Sequence, residues 1–195
     1  FMTRVTVIGT TSWGTTLGVL LARRSIEVRL WARSSEEADL LQSTRENSRF
    51  LPNITLPPSL LVTSDEKEAL ADTDLVLFAV PSRSLRENVQ RVSQAIPESA
   101  TVVSATKGLE RDTGKRMSQV LEEELPVSLK SRIGALSGPN LAQEIAEQKP
   151  ATTVVACYLG ELANQAQKTL MSPTFRVYTS EDVIGVELGG ALKNI

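Results

Sequence analysis

The chain has 195 residues, enough for one domain with a well-buried apolar core and the beginning of another, so neither disulfides nor a structural metal is needed to hold it. A charged fraction of 23%, a formal net charge of -2 and scattered Lys and Arg exclude the basic face that nucleic acid or an anionic membrane would need, and any bound anion must be held locally. Histidine is absent, which removes the commonest general base, the Ser-His-Asp arrangement and most zinc sites, so another side chain must move protons.

Phe1-Met2-Thr3-Arg4 leads directly into an apolar run from Val5 to Ile8 without a signal-peptide pattern, and no apolar stretch is long enough to cross a bilayer, so a soluble chain is expected. Short β-branched runs then alternate with longer stretches of helical periodicity. This pattern predicts an α/β fold, a Rossmann-like doubly wound sheet of parallel strands with helices on both faces. Strands are predicted at Arg4 to Ile8, Val28 to Trp31, Leu61 to Thr63, Leu75 to Ala79, Thr101 to Ser104, Ile133 to Leu136, Thr152 to Ala156 and Phe175 to Val177. Helices are predicted at Trp13 to Arg24, Glu36 to Thr44, Lys67 to Ala71, Ser84 to Ala95, Thr113 to Glu124, Asn140 to Glu147 and Glu161 to Leu170.

The stretch from Asn53 to Pro58 cannot continue a helix, because Pro58 disfavours the α conformation at Pro57 and proline supplies no amide donor, and a loop is predicted there. Cys157 ends the apolar run from Thr153 and reads as a buried structural thiol suited to the cytoplasm. A last helix is predicted from Glu181 to Ile195, with Ser180 as its cap and Glu181 and Asp182 at its positive end. Its Gly185, Gly189 and Gly190 form a stripe that serves either a close approach to a ligand or simple small-residue packing.

The first strand runs straight into Gly9-Thr10-Thr11-Ser12-Trp13-Gly14 and then a helix, the context in which a glycine turn binds a dinucleotide pyrophosphate. Gly9 fits the glycine of the tight turn and Gly14 the glycine of close helix-to-strand packing. Thr11 replaces the middle glycine, where its side chain must either push the loop outward or donate its hydroxyl to a phosphate. Free amides and the helix dipole still favour a diphosphate, and a ligand-free structural turn is the alternative. Where an acidic residue would hold the ribose hydroxyl of NAD, after the second strand, the chain has Arg33, which can pair with the 2′-phosphate of NADP or stand as an ordinary surface arginine.

Five segments in order, Val7-Ile8-Gly9 through Trp13-Gly14, Ala79-Val80-Pro81-Ser82, Ala105-Thr106-Lys107-Gly108-Leu109-Glu110, Ser137-Gly138-Pro139-Asn140 and Gly185 through Leu192-Lys193-Asn194, resemble the N-terminal portion of bacterial NAD(P)-dependent glycerol-3-phosphate dehydrogenase. The resemblance spans nearly the whole chain. It implies a dinucleotide-binding domain over residues 1–179 and, over 180–195, the first helix of a truncated all-helical substrate domain. It implies reversible reduction of dihydroxyacetone phosphate to sn-glycerol 3-phosphate with NADP or NAD, feeding glycerophospholipid synthesis, and a homodimer in the longer protein. Carried over position by position, it implies that Gly9, Ser12, Trp13, Gly14, Arg33, Lys107 and Ala142 meet the cofactor. Lys107, Gly138, Asn140 and Lys193 border the substrate, and Lys193 moves the proton. Asn140 stands where the family often has threonine or serine.

Hydride addition to a carbonyl builds negative charge on oxygen, so a positioned cation or acid is required. Lys193 after an apolar run and Lys107 near it would serve if they converge; without the resemblance each reads as a surface lysine. Glu110 either positions Lys107 or faces water. Another Rossmann reductase, of the β-hydroxyacid or ketopantoate type, would share the first turn but lack Ala-Thr-Lys-Gly-Leu-Glu. A short-chain reductase is excluded because neither Tyr158 nor Tyr178 is followed by the required lysine. A cofactor-binding module without turnover remains the alternative, since the missing domain would carry the groups that hold the substrate phosphate.

Overall fold

The structure is a computed structural model that describes residues 4–192. In chain order, β1 (Arg4–Ile8), α1 (Ser12–Ala22), β2 (Glu27–Trp31) and α2 (Ser35–Thr44) are followed by a hairpin of β3 (Glu46–Asn47) and β4 (Leu51–Thr55). Next come β5 (Leu60–Thr63), α3 (Glu66–Leu70), β6 (Leu75–Phe78), α4 (Leu85–Val92), β7 (Thr101–Ser104) and α5 (Met117–Glu124). The chain continues through β8 (Ile133–Ser137), α6 (Ala142–Ala146), β9 (Ala151–Cys157), α7 (Gly160–Leu170), β10 (Phe175–Ser180) and α8 (Val183–Leu192).

Eight strands form one sheet in the order β10-β9-β8-β7-β6-β1-β2-β5. From β5 to β8 all neighbours pair in parallel, which gives the doubly wound order with its switch between β1 and β6. Central strands are apolar on both faces because both are covered: alternate residues Val5, Val7, Leu75 and Leu77 enter the core beneath α1, α2, α6 and α7. Their neighbours Ile8, Val76 and Phe78 enter the opposite core beneath α3, α4 and α5. Helix α1 is buried from Gly14 through Ala22, so its sequence carries no polar face, whereas α2 buries only Ala38 and Leu41.

The predicted architecture holds, with four local corrections. The sheet is not wholly parallel: β9 runs antiparallel to β8, and β10 follows β9. The only helix between β8 and β9 is the five-residue α6, about 7 Å long, too short to carry the chain back along the sheet for a parallel crossover. Part of the predicted loop is strand, since β4 pairs antiparallel with β3 and Pro52 faces solvent where no amide is needed. Helix α5 begins at Met117 rather than Thr113, because Gly114 takes a left-handed φ of 68° and Leu109 bridges Arg116. The cap of α8 is Asp182 rather than Ser180: Asp182 Oδ1 accepts the Gly185 amide at 2.8 Å, while Ser180 ends β10.

Helix α8 packs on β8 and β9 through Val183 against Ala135 and Ala156. Cys157 is fully buried, and burial pushes its thiol up to about 12, which suits a packing role.

Candidate cofactor and substrate site

The turn after β1 has the geometry that its glycines require. Gly9 has a φ of 114°, and a Cβ there would lie 2.8 Å from the Ala79 carbonyl oxygen. A Cβ on Gly14 would lie 2.0 Å from the Gly9 carbonyl oxygen, so only glycine lets α1 start this close to the strand end. Thr11 resolves the departure at the middle position: its hydroxyl donates to the Ala79 carbonyl at 3.0 Å, turning inward to the end of β6. It makes no side-chain cap, which leaves the first-turn amides of α1 uncapped by a side chain and suited to an anion.

The hairpin braces this turn. Asn47 Nδ2 donates to the Thr10 carbonyl at 2.7 Å and to Thr15 Oγ1 at 2.8 Å, and the Ser12 hydroxyl donates to the Phe50 carbonyl at 2.6 Å. Thr10 Oγ1 donates to Glu37 Oε1 at 2.6 Å, joining the turn to α2. Asn47 and Phe50 were invisible as site residues in the sequence, because they act through long-range contacts that no local periodicity records. Arg33 lies beyond the end of β2, exposed, with Nη2 donating to Glu87 Oε1 at 2.8 Å.

Over the carboxyl ends of β1, β6 and β7 lies a cleft of about 300 Å³ that brings together Trp13, Lys107, Asn140 and Ala142 with Thr11 and Pro81. Trp13 packs edge to face on Phe175 with ring centroids 6.4 Å apart, and its Nε1 has no partner among the described residues. Thr106 Oγ1 donates to the Val80 carbonyl at 2.9 Å and ties the start of the lysine loop to the strand end. Lys107 Nζ then donates to the Gly138 carbonyl at 2.8 Å. Thr153 Oγ1 donates to the Ser137 carbonyl and accepts from Asn140 Nδ2 at 3.1 Å, so the Asn140 amide is oriented with Oδ1 left unpaired among the described residues.

A second cleft, of about 630 Å³, lies between Gly138 at the end of β8 and the glycine stripe of α8. The Lys107–Gly138 contact links the two clefts. The stripe packs closely at one position and is open at the next: a Cβ on Gly190 would lie 2.2 Å from Ser137 Oγ, whereas Gly189 has nothing within 4 Å and lines the cleft. Glu110 is 14% exposed and tied into an ion-pair cluster. It accepts from Arg86 Nε at 2.8 Å and Nη2 at 2.9 Å, and Arg86 also meets Glu123 and Glu124, so the segment after Lys107 is anchored to α4 and α5. The Arg86 guanidinium, with the Thr113 hydroxyl, holds the Glu110 carboxyl at about 2. Lys193, the expected proton-moving residue, lies outside the described residues.

Residues 4–163 match the family described as the NAD-dependent glycerol-3-phosphate dehydrogenase N-terminus. Among similar proteins, glycerol-3-phosphate dehydrogenase [NAD(P)+] of Dehalococcoides mccartyi is 47% identical over 195 residues, covering 100% of this chain and 54% of that protein. The protein of the same name from Corynebacterium kroppenstedtii is 45% identical over 194 residues, covering 100% of this chain and 58% of that one. The crystal structure of glycerol-3-phosphate dehydrogenase from Coxiella burnetii superposes with a TM-score of 0.90 at 32% identity, covering 99% of this chain and 58% of the other. A ketopantoate reductase from Ralstonia eutropha shares the fold, with a TM-score of 0.69 at 19% identity, covering 94% of this chain and 58% of the other. The chain spans little more than half the length of the curated relatives it matches.

Proposed function

The chain belongs to the NAD-dependent glycerol-3-phosphate dehydrogenase family through the N-terminal part of that family, and on this premise we propose that it is the cofactor-binding half of an enzyme that reversibly reduces dihydroxyacetone phosphate to sn-glycerol 3-phosphate. The observation that carries the reading is the contact of Lys107 Nζ with the Gly138 carbonyl beside the uncapped start of α1. It sets a cation at the junction of a cleft fit for a nicotinamide ring and a cleft fit for a small substrate.

In this reading Gly9 and Gly14 shape the turn, the amides from Ser12 onward receive the pyrophosphate, and Arg33 faces the ribose end. Trp13 and Ala142 wall the ring cleft, where Asn140 and the mouth at Gly138 border the substrate. The bound nicotinamide supplies or accepts hydride. Lys107 stabilises charge on the substrate oxygen, and Lys193 gives that oxygen its proton in reduction and removes it in oxidation. The product places the activity in glycerophospholipid synthesis, and a cytoplasmic homodimer is part of the proposal. The proposal also sets the domain boundary near residue 180, with α8 as the start of the substrate domain.

A second reading applies to the chain as it stands: it binds cofactor without turnover, supported by its coverage of little more than half of its relatives. NADPH and NADH titrations of this chain, with oxidation assays on dihydroxyacetone phosphate for it and for a full-length relative, test both readings. Binding with turnover only in the longer protein is the expected result, and alanine in place of the lysine that corresponds to Lys193 abolishes that turnover. A longer protein that binds cofactor but leaves dihydroxyacetone phosphate unreduced sinks the substrate assignment.

A further inference from the structure

Two arginines meet at the carboxyl end of β2, and they are held in different ways. Arg91 is held on several sides: Nε donates to Glu66 Oε1 at 3.0 Å, Nη1 donates to the Arg33 carbonyl at 2.9 Å, and the guanidinium lies 4.8 Å from the centroid of the Trp31 ring. The second of these contacts holds the backbone of Arg33. The Arg33 side chain has one polar contact among the described residues, to Glu87, and the two side chains are 54% and 63% exposed. Glu87 sits in the first turn of α4, where the helix dipole favours a carboxylate.

We infer that Glu87 tunes cofactor preference by occupying, on Arg33, the place that a 2′-phosphate would take. The inference rests on the reading that the turn before α1 holds a dinucleotide with its ribose end toward Arg33. A 2′-phosphate brings up to two negative charges against a guanidinium already neutralised by a carboxylate at 2.8 Å. It must displace Glu87 or lie beside it, and both options oppose binding by like-charge repulsion or by loss of an ion pair. A bare ribose hydroxyl meets no such competition. Arg33 therefore draws NADP(H), and Glu87 narrows the advantage over NAD(H).

The test titrates this chain, as wild type, Glu87→Gln and Arg33→Ala, with NADPH and NADH separately, reading cofactor fluorescence at low and high salt, with circular dichroism confirming that each variant is folded. Glu87→Gln keeps the side-chain length and removes the charge. It is expected to tighten NADPH about threefold to tenfold at low salt, to leave NADH within about twofold, and to lose its gain in concentrated salt. Arg33→Ala is expected to erase any preference for NADPH. Unchanged affinities in Glu87→Gln, or equal shifts for both cofactors, overturn the role of Glu87 while the cofactor reading stands. A folded wild type that binds neither cofactor overturns that underlying reading instead.

Discussion

Glu187 of α8 closes the start of α5: its carboxylate accepts the Ser118 amide at 2.7 Å and the Ser118 hydroxyl at 2.6 Å, and also pairs with Arg116 Nη1 at 2.7 Å. The Glu187 side chain is 6% exposed, so these bonds satisfy a carboxylate that is otherwise costly to bury. Because Arg116 also bridges Leu109 through its backbone, the network joins α8 to the loop that carries Lys107.

Removing that carboxylate leaves Arg116 without its pair and the first turn of α5 without its acceptor. Glu187→Ala is expected to destabilise the chain by about 3 to 5 kcal/mol, seen as a lower urea midpoint. Glu187→Gln, which keeps one acceptor oxygen, loses less. An unchanged midpoint in Glu187→Ala counts against the network as a fastening of α8.

Two glycines predict opposite outcomes for the same substitution. Gly14→Ala forces a methyl to 2.0 Å from the Gly9 carbonyl oxygen, so the helix start must shift; a loss of about 1 to 3 kcal/mol and weaker dinucleotide binding are expected. Gly189→Ala adds a methyl where nothing lies within 4 Å, and helix propensity there favours alanine by about 0.5 to 1 kcal/mol. Thermal unfolding of the two variants decides the matter. Equal shifts would show that the close approach at Gly14 does not limit the turn.

The positions of most strands and the glycine turn after β1 were legible in the sequence because both are local signals: short apolar β-branched runs, a period of 3.6 between them, and glycine where a backbone needs it. What stayed hidden was set by distant partners. Asn47 and Phe50 lie between the predicted second helix and the predicted loop, in a segment with no periodic signal, and their value comes from contacts with Thr10, Thr15 and Ser12 of the first turn and α1. The reversal at β9 followed from the shortness of α6, a boundary question that apolar spacing does not answer. Glu187 looked like one polar residue among glycines, since its partners are about 70 residues away.

The Arg86–Glu110 pair predicts a pH dependence of definite sign. Arg86 donates two bonds to Glu110 and lowers its folded pKa from 4.5 to about 2, so the unfolded chain binds the proton first as pH falls. The stability from this pair is therefore complete above about pH 5 and is lost between there and pH 2. Glu110→Gln is expected to cost about 1 kcal/mol at pH 7, given solvent near the cluster, and the gap to wild type should shrink on acidification. A gap that widens toward pH 3 reverses the sign and refutes the assignment.

Ile184, Leu188 and Leu192 recur at every fourth residue of α8 and are 47%, 36% and 58% exposed, one apolar stripe along the outer face of the helix. An apolar surface of this kind draws either further chain or another molecule, because burying it removes roughly 25 cal/mol per Å² of unfavourable contact with water. The chain as it stands should bind a hydrophobic dye and associate as its concentration rises. Ile184→Glu combined with Leu188→Glu should suppress both effects and leave the unfolding midpoint nearly unchanged, since neither side chain is in the core. Light scattering that finds a monomer at every concentration, with no dye binding, would show that the stripe is too narrow to drive association.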